Sequence, residues 1–100
     1  MGHITTITER HPVNTSTIAL LDRAAALISG ALAVTGEADR RHLTLQARDV
    51  LSASGALVCR DVGGLLDDVL TGGADERSIL QTAHAALVLE AAEEDAALAA

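Results

Sequence analysis

"NTSTIALLDRAAALISGALAVTG", residues 14–36, decides the fold class. Asn14 is a strong N-cap residue, because its side-chain oxygen can accept a hydrogen bond from an N–H that the first helical turn leaves unpaired. From that cap, Val13 and Ile18 occupy the N′ and N4 positions whose side chains staple a helix start. At about 100° per residue, Ile18, Leu21, Ala25, Ile28 and Leu32 share one face, and Leu20, Ala24, Leu27, Ala31 and Val34 form an adjacent one. Together the two stripes cover roughly half of the cylinder. Asp22, Ser29 and small alanines are left for the remainder. A helix over 15–34, ended by Gly36, is predicted to be central or buried in an interface.

Three further helices follow from the same periodicity. Over 37–54, Leu43, Ala47, Val50, Leu51 and Ser54 make one narrow stripe, Glu37 and Asp39 suit the positive end of the helix dipole, and Gly55 is the expected stop. A short helix is expected over 62–71, with Asp61 as N-cap, Gly72 as the residue after the C-cap, and Leu57, Val58 and Cys59 as its lead-in. The last, over 76–97, starts from an Asp75 cap and carries Ile79, Leu80, Ala83, Leu87 and Ala91 on one face. Its back face, with Ala85, Ala86, Leu89, Ala92 and Ala96, is also small and apolar. Glu90, Glu93, Glu94 and Asp95 lie near the negative pole of that helix, where acids are unfavourable, so its last turns should fray unless a basic partner holds them.

Ahead of these helices, residues 1–13 carry the β-branched run "HITTIT" and Pro12, with no helical stripe and no second strand to pair with. They are read as an extended or disordered arm, and residues 14–100 as one helical domain. The predicted fold is therefore all-α: a small antiparallel bundle of four helices, one of them short, with an N-terminal arm.

Composition sets the remaining bounds. The chain has 100 residues, 49% of them apolar, yet no Phe, Trp or Tyr, so its core must be built from Leu, Ile, Val and Ala. Small domains leave much of their surface exposed, and so large an apolar share points to burial against a second copy, a two-fold dimer being the commonest form. The longest uncharged run, 24–36, falls short of the ~20 apolar residues that cross a bilayer. No apolar signal-peptide core follows Met1, and the single Cys59 rules out an internal disulfide framework, so a cytoplasmic address is expected. All seven basic residues are Arg, a usage associated with GC-rich coding sequence in bacteria or their phages.

A formal charge of −7 disfavours direct binding to nucleic acid, where cations must replace the counterions condensed on phosphates. A helix-turn-helix outline spans "LQARDVLSASGALVCRDVGGLLDDV", but its reading helix would set Asp61, Asp67 and Asp68 against Arg60 alone.

"CRDVGGLLDDVLTGGADE", residues 59–76, has the look of a ligand loop, and each chemistry can be tried on it. With Asp67 at position 1 of a calcium loop, Gly72 falls on the required glycine, but Val69 and Ser78 fall where oxygen ligands are needed. A phosphate loop needs a lysine, and the chain has none. His3, His11, His42 and His84 are scattered, with no HExxH or CxxC spacing for zinc. Cys59 sits in helical phase with Val62 and Leu66 and is read as a small buried hydrophobe. Asp67 and Asp68 point about 100° apart and are read as solvated. Gly63-Gly64 alone remains unaccounted for, since glycine inside a helix costs about 1 kcal/mol relative to alanine. Close approach of another helix is the expected reason.

No catalytic, cofactor-binding or metal constellation emerges, and the chain is expected not to be an enzyme. The leading expectation is a small acidic protein–protein interaction module, an adaptor or regulator acting as a helical homo-oligomer. Its interface candidates are Ile18, Leu20, Leu21, Leu27, Ile28, Leu32, Val88 and Leu89. A second expectation is an acidic inhibitor or nucleic-acid mimic that blocks a basic site on a partner, through Asp67, Asp68, Glu90, Glu93, Glu94 and Asp95. A third is a structural subunit of a phage particle or protein shell, laced by the arm. Neither direct nucleic-acid binding nor membrane attachment is expected.

Overall fold

A computed structural model of the chain describes residues 15–72 and 75–99. The expected arm, the Asn14 cap and the Val13 staple lie outside the described residues. All described secondary structure is helical: α1 (Thr15–Ala33), α2 (Glu37–Ser52), α3 (Leu57–Leu70) and α4 (Glu76–Ala99). α1 packs on α2 and α4, and α3 packs on the same two, so the helices form a ring around one shared core. No helix among them is long and apolar enough to cross a membrane.

In α1, Leu21, Ala24, Ala25, Ile28 and Ala31 are buried, a 3-1-3-3 spacing that keeps one stripe inward. Alanine at Ala24, Ala25 and Ala31 lets neighbouring backbones approach, and large side chains at Leu21 and Ile28 fill the space between them. Gly30 contributes at the α2 boundary, where a Cβ would lie 3.4 Å from Leu43 Cδ1. Gly36 does not end α1 in a left-handed turn as expected. It is extended (φ −79°, ψ 133°) and serves as N-cap of α2, its carbonyl accepting from Arg40 N–H at 3.0 Å.

Thr44, Ala47 and Leu51 are buried in α2. Thr44 is the buried polar residue of the core, and its hydroxyl donates to the Arg40 carbonyl at 2.8 Å, which removes the cost of burying it unpaired. α2 stops at Ser52, two residues before the expected end, and Gly55 plays no part. Ala53 closes the last turn by donating to the Val50 carbonyl at 3.2 Å. Ser54, expected on the stripe, instead accepts the Ala56 N–H on its hydroxyl at 3.1 Å in the connection.

α3 departs most from expectation. It starts at Leu57 rather than 62, has Ala56 as an N-cap with no side-chain bond, and is only slightly shorter than α2. Asp61 is an exposed residue of the helix and caps nothing. The physical reason is burial: Cys59, Val62, Leu66 and Val69 continue one stripe at 3-4-3 spacing, and burying Cys59 and Val62 outweighs the ~1 kcal/mol that an aspartate cap would supply. The far end is as expected. Gly72 has φ +84°, and its N–H donates to the Val69 carbonyl at 3.1 Å.

α4 starts as its sequence predicts, with Ser78 N–H donating to Asp75 Oδ1 at 3.3 Å and Ile79 N–H to the Asp75 carbonyl at 3.0 Å. Leu80, Ala83, Leu87 and Ala91 face the core. The helix continues to Ala99 in spite of its acidic end.

Candidate functional site

Polar contacts identify which helix ends meet. Arg41 Nη2 donates to the Leu70 carbonyl at 2.7 Å, tying the start of α2 to the end of α3. Arg40 pairs with Glu76 at 3.5 Å and donates to the Thr35 carbonyl at 3.4 Å, which adds the start of α4 and the end of α1 to the same pole. At the opposite pole Thr17 of α1, Ala56, Leu57, Val58 and Asp61 of α3, and Glu90 and Glu94 of α4 line a groove of about 490 Å³.

That groove has an apolar floor and an acidic rim. Leu57 is 69% exposed, the most of any large hydrophobic residue described. The expected start at 62 leaves it ahead of the helix; extending the stripe of Cys59, Val62 and Leu66 back by one turn sets Leu57 about 200° from Cys59, on the outer face. On the rim, a side-chain hydrogen bond with Glu94, then partial burial, then repulsion from Glu94 together raise the Glu90 carboxyl above its ordinary value. The pair is one helical turn apart and therefore stacked on one face.

A second groove, of about 340 Å³, runs between α2 and α3 and is lined by Arg48, Ser52, Ser54, Cys59, Arg60, Gly63, Gly64 and Asp67 among others. Asp67 is paired there with Arg48. Cys59 is buried, as expected. The glycine pair lies in the interior of α3, and a Cβ on either residue would meet nothing within 4 Å. The expected close approach of another helix therefore does not occur within the described residues.

The interface candidates divide into three groups. Leu21 and Ile28 are fully buried in the chain's own core and present no surface. Ile18, Leu20, Leu27 and Leu32 are half-buried at helix boundaries. Val88 and Leu89 are 48% and 61% exposed, and Leu89 lies in a row with the exposed Ala85, Ala92 and Ala96 on the outside of α4. The acidic candidates are divided as well. Glu90 and Glu94 share the groove with Asp61, whereas Asp95 lines a different cleft with Ile18, Asp22 and Val88. Asp68 and Glu93 are exposed.

His42 is exposed and His84 half-buried, and no group of three or more metal-ligating side chains forms among the described residues. His3 and His11 lie outside them. No protein-family model, curated protein or solved structure matches the chain.

Proposed function

We propose that the chain is a small non-enzymatic protein–protein interaction module, an adaptor or regulator, built as an antiparallel four-helix bundle and acting as a homodimer. The antiparallel reading draws on the short connections, 34–36, 53–56 and 71–75, and on the helix ends that meet at each pole. The observation that carries the function is the outer row of α4. Leu89, with Ala85, Ala92, Ala96 and the neighbouring Val88, presents a helix face that the chain's own core leaves uncovered. Fully burying a Val or Leu side chain is worth about 1.5–3 kcal/mol, and two-fold symmetry counts each contact twice. The alanines allow two such helices to approach closely.

Light scattering with refractive-index detection tests the assembly, because a chain without Trp or Tyr is nearly invisible at 280 nm. A dimer mass is expected for the native chain, and a monomer mass with unchanged helix content for the Val88→Glu, Leu89→Glu double variant. A native chain that stays monomeric at high concentration would overturn the homodimer.

A further inference from the structure

The groove at the start of α1 and α3 joins an apolar lining to carboxylates from two helices; the cleft of Ile18, Val88, Asp22 and Asp95 does so too, but with two carboxylates rather than three. Its floor of Ala56, Leu57 and Val58 is apolar and includes the most exposed large side chain described. Its rim consists of carboxylates from two helices, Asp61 on α3 and Glu90 and Glu94 on α4. No Arg or His stands among its described lining residues.

We propose that this groove docks a basic amphipathic segment of a partner protein, with an apolar side chain seated on Leu57 and Val58 and an arginine or lysine placed between Asp61 and the Glu90–Glu94 pair. Charge complementarity selects this occupant. An extended aliphatic stem ending in a cation covers apolar floor and neutralises rim at once. A second copy of this chain would instead bring more negative charge, since Asp61, Asp68, Glu93 and Asp95 are all exposed on its α3 and α4. Anionic lipid and nucleic acid are repelled for the same reason. The inference names a partner class for the interaction module proposed above and does not depend on the α4 row.

The test uses the full chain and a fluorescein-labelled helical peptide with leucines along one face flanked by arginines, read by fluorescence anisotropy. A second peptide with glutamate in place of each arginine serves as the control. The arginine peptide is expected to bind, more weakly as salt rises, and the glutamate peptide not to bind. Leu57→Ser, and separately the Glu90→Gln, Glu94→Gln double variant, should weaken binding by about tenfold or more. Leu45→Ser, at an exposed α2 position that belongs neither to the groove nor to the α4 row, should leave it unchanged, and circular dichroism should show every variant folded. Equal binding of both peptides, or affinity indifferent to both groove variants, would overturn the proposal. So would displacement of the probe by a synthetic peptide of residues 1–13 at equal or lower concentration, which would make the chain's own amino-terminal segment the occupant. A monomeric native chain that still bound the arginine peptide through Leu57 would refute the homodimer and leave this inference standing.

Discussion

Replacing Gly63 and Gly64 by alanine, singly and together, is expected to stabilise the chain. Both residues lie in the interior of α3, neither has the positive φ that demands glycine, and an added Cβ at either meets nothing within 4 Å. The native state therefore gains helix propensity without strain, while the unfolded chain loses conformational freedom. Each substitution should contribute about 0.8–1 kcal/mol and the pair about 1.5–2 kcal/mol. In a domain of this size about 1 kcal/mol moves Tm by roughly 4–8 °C, so the double variant should melt about 6–16 °C higher. Circular dichroism is the suitable probe, since the chain has no aromatic residue to fluoresce. Urea titration should show a raised midpoint at unchanged slope, the sign that stability moved and the unfolding reaction did not. A lower midpoint would refute the reasoning. It would mean that something outside the described residues comes close to the glycine pair and needs the missing side chains.

Three other perturbations probe separate parts of the structure. Leu66→Ala, at a fully buried position in an alanine-rich core, should cost about 2–5 kcal/mol by urea denaturation; a loss under about 1 kcal/mol would show the core to be loosely packed. Asp75→Ala removes the cap of α4 and should cost about 1 kcal/mol, with Asp75→Asn losing much less. The Glu90 carboxyl is raised, so the folded chain holds its proton more tightly than the unfolded chain does. Stability from this group is fully present below the unfolded value and is lost as pH rises through the folded one. Tm should therefore climb as pH falls through the mildly acidic range, and Glu94→Gln should flatten that rise; an equally steep profile in the variant would count against the pairing.

The start of α4 and the end of α3 were legible because each is set by one residue acting on its own backbone. Asp75 caps through its carboxylate, and Gly72 takes the left-handed turn that a side chain resists. The apolar stripes of α1 and α4 were legible for a similar reason, since a helical period shows in a single chain, but the buried face of α1 draws Leu21, Ala25 and Ile28 from one stripe and Ala24 and Ala31 from the other. The start of α3 was not. Local chemistry favoured Asp61 as a cap, and what outweighed it was burial of Cys59 and Val62 against other helices, a term that exists only once the core is assembled. Leu57 went unnoticed with it. The same limit applies to the acidic residues, which the sequence lists as one negative set and which packing divides between an apolar groove, a pairing with Arg48 and a separate cleft.

What the sequence by itself determined is that the chain is helical, where the starts of α1, α2 and α4 and the end of α3 fall, and which faces are apolar, because propensity, capping and periodicity act within a few residues. The tertiary structure alone decided which of those apolar faces are spent inward. Leu21 and Ile28 went to the core while Leu57, Val88 and Leu89 stayed in solvent, because burial is shared between helices far apart in the chain.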